Sequence, residues 1–269
     1  MSILLRKAWR DLRVRPLRTL LTLLGITIGV AGVVAIVLAG RTFTEAQRRT
    51  YQHTSQADII VWAWDVQENI VRALVDLPNV AAAERRALAY VRWRAGGTVW
   101  QEMELQGLEQ FDRVRVNQMT LVEGRFPGRG EIAIEESARE LASLSIGQTI
   151  EIRDWSGQTM RLTVSGFTRT PYYPSAGLLR FTTGYVPASQ VRPFLGLRGD
   201  NYLFIRLHDL GQAEETRQEI EELLDRRHPQ HGSVRVRDPE NYLGRRELGT
   251  LLRLLTVLSI LGVVISAFL

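Results

Sequence analysis

Two stretches of this chain carry no charge, and a long polar region separates them. The first runs from Thr19 to Gly40, 22 residues. At a rise of about 1.5 Å per residue, such a helix crosses a hydrocarbon core of about 30 Å. The second runs from Leu254 to Leu269, 16 residues, and reaches about 24 Å on the same rise. It is read as the start of a second spanning helix, in a chain expected to continue past Leu269. Small residues recur in the first stretch, with Gly25, Gly29 and Gly32 on one face and Ala31, Ala35 and Ala39 beside them. Ser259, Gly262 and Ser266 recur in the second. Small residues at this period let membrane helices approach closely. Gly25, Gly29, Gly32 and Gly262 are therefore the candidate helix-packing face.

Between these stretches the period of the pattern changes repeatedly. Residues 57–64 (ADIIVWAW) read as a strand, and 68–77 as a helix stopped by Pro78. Residues 88–94 alternate as a strand, with 99–108 as the partner across Gly96-Gly97. Residues 132–144 read as a strand running into a short helix. Residues 149–170 read as a hairpin turning at Ser156-Gly157. A strand at 201–209, a charged helix at 213–227 and a strand at 233–238 follow. The polar, breaker-free run 41–56 predicts a helical stalk continuing the first spanning helix. A second stalk is predicted over 239–253, with Asp238 as N-cap and Pro239 in the first turn. Strand-helix-strand units at both ends of a β-rich middle imply two interlocked subdomains.

Charge fixes the orientation. The chain holds 34 basic and 29 acidic residues, a net charge of +5. Residues 1–18 hold Arg6, Lys7, Arg10, Arg13, Arg15 and Arg18 against Asp11, which leaves 28 of each sign elsewhere. The excess is thus a membrane-flanking tail, and the folded region lacks the basic surplus of a nucleic-acid binder. By the positive-inside rule the N-terminus is cytoplasmic and residues 41–253 lie outside. Residues 2–15 form an amphipathic pattern, with Trp9 at headgroup depth and the arginines opposite. Val37-Leu38-Ala39 fits a signal-peptidase site, but the basic region and apolar run are both too long for a signal peptide.

Candidate chemistry is sparse. With no cysteine, disulfides and thiolate metal sites are excluded. His228 and His231 have metal-like spacing but lie in HPQHG, read as a turn with no third ligand. Glu135-Glu136 and Glu219, Glu221 and Glu222 read as solvated faces beside arginines. Lys7 is the only lysine, which excludes a phosphate-binding G-x-x-x-x-G-K-[ST] loop, and there is no G-x-S-x-G elbow. GRFPGRG (124–130) reads as a turn. The chain is expected not to be an enzyme, with no catalytic, cofactor-binding or metal residues of its own.

Arg15-Pro16-Leu17-Arg18-Thr19, Leu21-Thr22, Leu24-Gly25-Ile26 and Ile28-Gly29-Val30 closely resemble the opening of permeases of the MacB/FtsX-like family, the type VII mechanotransmission ABC systems. VEGRFPGRGEIAIEESARELASLSIGQTIEI (122–152) resembles that family's extracytoplasmic core, and residues 248–269 its second membrane helix. The resemblance implies four membrane helices in the whole permease, the last two and their cytoplasmic loop lying beyond Leu269. It implies an α+β membrane protein: a cytoplasmic amphipathic helix at 1–18, a spanning helix at 19–40, a MacB-like periplasmic core at 41–253 and the start of a second spanning helix at 254–269. It further implies a bacterial cytoplasmic-membrane location and a permease role in export, lipoprotein extraction or cell-wall enzyme control. Implied partners are a cytoplasmic ATPase carrying ATP and Mg, a second permease copy or paralogue, membrane lipid and a periplasmic adaptor, with no nucleic acid. Arg6, Arg10, Arg13, Arg15 and Arg18 are the candidate contacts to the ATPase or to lipid headgroups. The alternative is a non-transport sensor or scaffold whose outer domain binds a ligand or partner.

Overall fold

A computed structural model of the chain describes residues 16–170, 175–238 and 245–268. It divides into two units, residues 1–48 with 242–269 and residues 49–241.

Helix α1 spans Pro16–His53, with all but its last five residues in the first unit, and joins the apolar stretch and most of the polar run 41–56 without a break. Its segment Leu23–Thr42 is long and apolar enough to cross a membrane by length and composition. Helix α6 spans Arg245–Phe268, and its described apolar stretch, Leu252–Leu261, is shorter. The expected start of the second stalk at residues 239–244 lies outside the described residues.

The second unit is built on one ten-stranded sheet. Its strands are β1 (Ile59–Val66), β2 (Val80–Arg94), β3 (Gln101–Leu108), β4 (Thr120–Gly124), β5 (Glu131–Glu135), β6 (Thr149–Arg153), β7 (Thr159–Arg169), β8 (Phe181–Pro187), β9 (Asp200–Leu207) and β10 (His231–Val236). The order is β10-β1-β9-β2-β3-β8-β5-β7-β4, with β6 pairing both β2 and β7. The β3–β8 and β5–β7 pairs are parallel, and the others antiparallel.

Strand β2 binds the sheet together. Its first part, Val80–Arg86, pairs with β9, and its second, Ala87–Trp93, with β3. The expected strand began only at Leu88. Residues 80–87 (VAAAERRA) carry helix-forming alanines, glutamate and arginines, and pairing on β9 overrides that propensity. One strand thus joins the two ends of a single sheet, where two subdomains were expected.

Two large apolar clusters flank it. The first lies under helices α2 (Glu68–Val75) and α5 (Ala213–Arg227). Ile70, Val71 and Leu74 of α2 and Ile220, Leu223 and Leu224 of α5 meet Ile59, Val61, Leu203 and Ile205 of the sheet. The second cluster gathers Trp93, Met103, Leu105, Ile132, Ile134, Ile152, Val164 and Phe167 with Val191 of helix α4 (Ala188–Phe194). Gly107 permits the close seating of α4: a Cβ there would lie 2.9 Å from the Ala188 Cα. A four-residue helix α3 (Ala176–Leu179) precedes β8. The predicted turn residues Gly96, Gly97 and Gly157 all adopt positive φ, at 82°, 66° and 92°.

Candidate functional site

Residues 54–58 connect α1 to β1, and the last three of them, Gln56, Ala57 and Asp58, are exposed by only 3%, 0% and 0%. Connections normally run over the surface, because buried backbone must find partners. Here the partners are supplied from three other segments. The Ala57 N–H donates to Asn117 Oδ1 at 2.9 Å, while Asn117 and Gln118 N–H groups donate to the Ser55 and Thr54 carbonyls at 2.9 and 2.8 Å. The Asp58 carboxylate accepts from Leu207 N–H at 2.7 Å and from Arg206 Nη1 at 2.9 Å. Arg206 Nη1 also donates to the Gln56 carbonyl at 2.9 Å. Charge-assisted bonds of this kind are shorter and stronger than neutral ones.

The chain leaves the sheet at the same place. Ile59 of β1 lies opposite Val236 of β10, and the Arg237 N–H donates to the Asp58 carbonyl at 2.7 Å. The incoming and outgoing leads of this domain are therefore hydrogen-bonded neighbours. Sequence reasoning took 57–64 as an ordinary strand and missed the role of Asp58. An aspartate directly before an apolar run of isoleucine and valine was the available signal, since aspartate is depleted in strands.

A second buried charged group lies behind this junction. Arg86, 1% exposed, donates from Nη1 to Gln106 Oε1 at 2.7 Å and from Nη2 to Glu84 Oε2 at 2.9 Å and to the Val116 carbonyl. Its guanidinium lies 5.3 Å from the Phe204 ring centroid. Glu84 in turn accepts the Arg115 and Val116 N–H groups, so the loop that carries Asn117 is fixed to β2. Asp200, wholly buried, takes two bonds from Arg192 at 2.8 and 3.0 Å and one from Arg85. These ion pairs hold the start of β9 to β2 and α4.

In the first unit, Gly29 is buried, Gly25 and Gly32 are half-buried. A Cβ on Gly32 would lie 3.0 Å from Ser259 Oγ, and one on Gly40 would lie 3.4 Å from Leu252 Cδ1. Gly262 lies in α6, with its surroundings outside the description. Arg6, Arg10, Arg13 and Arg15 lie outside the described residues; Arg18 lies in α1, and its side chain is not described.

Both histidines of HPQHG and several of the paired carboxylates are engaged structurally. His231 opens β10, where a turn was expected, because its Nε2 reaches Asp225 Oδ1 at 2.9 Å and anchors the strand start to α5. His228 Nε2 meets the Trp64 carbonyl at 2.6 Å. Glu136 pairs with Arg169, and Glu221 with Arg217. Burial pushes the Glu135 carboxyl above its ordinary range against two bonds from Ser137. Among the described residues, no group of three or more His, Asp or Glu side chains could hold a metal ion.

Residues 19–223 match the family model of the MacB-like periplasmic core domain. The chain belongs to that family. It is thus a member of the MacB/FtsX-like ABC permeases, with a mixed α/β extracytoplasmic domain. No curated protein matches it. Solved structures similar to it include the extracellular domain of the noncanonic ABC-type transporter YknZ from Gram-positive bacteria. That pair shares 15% identity, with 67% of this chain and 99% of that one covered, at a TM-score of 0.45. The periplasmic region of MacB from Actinobacillus actinomycetemcomitans shares 12% identity over 71% of this chain and 92% of that one, at 0.45. A permease-protein domain from Porphyromonas gingivalis shares 14% identity over 69% and 91%, at 0.43.

Proposed function

We propose that this chain is the permease subunit that converts ATP hydrolysis by a cytoplasmic partner into movement of its extracytoplasmic sheet. The observation that carries this reading is the junction at Asp58. Both leads of the domain are hydrogen-bonded to each other there and braced by a buried aspartate. A displacement arriving through either lead acts on a stiff, fully bonded point, and buried backbone with satisfied charges deforms little. Coupling also needs a two-state element biased by the nucleotide. The partner ATPase would supply that bias, with ATP and Mg bound on it and none on this chain. Arg6, Arg10, Arg13, Arg15 and Arg18 would face the ATPase or lipid headgroups on the cytoplasmic side. Gly25, Gly29, Gly32 and Gly262 would pack spanning helices within the chain or against a second permease copy. A periplasmic adaptor would be a further partner.

The test is to purify the full-length protein with the ATPase encoded beside it and measure ATP turnover in lipid nanodiscs. The proposal expects a stable complex whose turnover drops when the Asp58 junction is broken. A full-length protein that never associates with an ATPase overturns it and favours the sensor or scaffold.

A further inference from the structure

The sheet face opposite α2 and α5 holds a cavity of about 350 Å³, within the usual range for small-ligand pockets. One wall is aromatic. Phe204 is buried, its ring stacked against Tyr202 with centroids 6.0 Å apart and planes 17° apart, and Tyr202 and the exposed Tyr90 present the accessible rings. The floor is polar and buried: Glu104, Gln106 and Asn117 are exposed by 5%, 2% and 4%. Arg235, Arg237 and Asp238 stand at the lining's outer edge.

The floor is held in one orientation. Arg86 Nη1 donates to Gln106 Oε1, which turns the amide nitrogen toward Glu104 Oε1 at 2.5 Å. The Tyr90 and Tyr202 hydroxyls titrate above their ordinary value, first through burial and then through the charge of Glu104. Both stay protonated, and the Tyr90 hydroxyl donates to Glu104.

Charge narrows the ligand. The lining holds two carboxylates, Glu104 and Asp238, and two guanidinium groups, Arg235 and Arg237. An anion such as phosphate would face the Glu104 carboxylate, and a metal ion would find one buried carboxylate beside arginines. A wholly apolar ligand would lie against the charged Glu104 carboxylate and the Arg235 and Arg237 guanidinium groups, displacing water from them without offering a polar partner. What satisfies every wall is a neutral molecule with an apolar C–H face and a rim of hydroxyls. Its C–H face lies on the aromatic rings, and its hydroxyls pair with planar amide, carboxylate and guanidinium groups.

We propose that this cavity binds a neutral saccharide of one or two rings, stacked on the accessible tyrosines Tyr202 and Tyr90 and hydrogen-bonded to Glu104, Gln106 and Arg235. The site stands whether or not the chain drives transport. The sugar is either free or the end of a longer glycan.

Saturation-transfer NMR on the full chain in nanodiscs tests it, with maltose, cellobiose, N,N′-diacetylchitobiose and chitohexaose as probes and inorganic phosphate as control. The expected result is transfer to ring C–H protons of at least one disaccharide. It should weaken at least tenfold in Tyr202→Ala and in Glu104→Gln, and stay unchanged in Trp62→Ala. Trp62 is an exposed side chain outside this lining. Equal affinity for the disaccharide and the hexamer assigns a free sugar; a gain with length assigns a glycan chain. Circular dichroism checks that each variant folds, and if Tyr202→Ala does not, the half-exposed Tyr90→Ala takes its place and should weaken transfer likewise. The absence of any saccharide signal, or binding that survives both Tyr202→Ala and Glu104→Gln in folded protein, or stronger binding of phosphate, overturns the proposal.

Discussion

The two halves of the sheet are stabilised by different physics. Around β1, β9 and the first part of β2, the buried side chains include Asp58, Arg86 and Asp200, each tied by charge-assisted hydrogen bonds. On β7 and β8 and directly after β7, the buried polar side chains are largely neutral hydroxyls, those of Ser165, Thr168, Thr170, Thr182 and Thr183, within an apolar core centred on Trp93, Ile134 and Phe167, and the buried carboxylate of Glu104 lies on β3, toward the other half. Apolar packing is non-directional and tolerates adjustment. Buried ion pairs and caps fix geometry and fail abruptly when one partner is lost. The β1 half receives both leads of the domain, and it is the half built for fixed geometry. The β7 half adds bulk and stability.

The largest effects separate these two roles. Trp93→Ala removes a wholly buried side chain from the β7 half and should cost about 3–5 kcal/mol of stability. Asp58→Ala leaves the Leu207 N–H and Arg206 without their carboxylate and should cost about 2–3 kcal/mol. Urea unfolding of the full chain in nanodiscs orders the two. The functional ranking should be the reverse. At a temperature where both variants stay folded, ATP turnover in the complex should fall severalfold in Asp58→Ala and little in Trp93→Ala. Equal losses in both would mean that the junction carries no special mechanical role.

The same contrast governs what could be read from the sequence. Local pattern was enough for α1, for the Gly96-Gly97 and Ser156-Gly157 hairpins and for α5, because each is written in neighbouring residues. It was not enough for the first half of β2, where alanines and charged residues favour a helix until β9 is beside them. Strands β4 and β8 and helix α4 were missed too. Their short runs, TLVEG, FTTGYVP and ASQVRPF, carry no sustained period. The junction was the least legible part. Asn117 lies 60 positions from Ala57, and Leu207 lies 149 from Asp58, so no local pattern records those bonds.

A smaller effect is expected in the first unit, where packing is close and uncharged. Gly32→Leu places a branched side chain where even a Cβ would stand 3.0 Å from Ser259 Oγ. Overpacking of this sort costs about 1–3 kcal/mol. Thermal unfolding in nanodiscs should show a lower midpoint for Gly32→Leu, and Ser259→Gly should restore part of the loss. Unchanged midpoints would mean that α1 and α6 do not depend on this contact.

The smallest effect sharpens the comparison from the side of pH. In the β7 half, Glu151 of β6 takes two bonds from Arg94 of β2, at 2.9 and 2.6 Å. The hydrogen bond from Arg94 holds the Glu151 carboxyl below the usual carboxylate range, with the charges of Arg94, Arg161 and Arg153 adding to it. A carboxylate depressed on folding stabilises the folded state fully above its unfolded pKa of about 4.3, and that contribution is lost as pH falls through the lower folded value. Wild-type protein should therefore lose part of its urea midpoint between about pH 5 and pH 3, and Glu151→Gln should lose measurably less over the same window. The pair is only half-buried and keeps contact with solvent, so the difference should be small and should shrink further as salt is raised. A Glu151→Gln variant with the wild-type slope would show that β6 is held on β2 by its backbone ladder and by Ile152 packing beside Trp93, with the ion pair adding nothing.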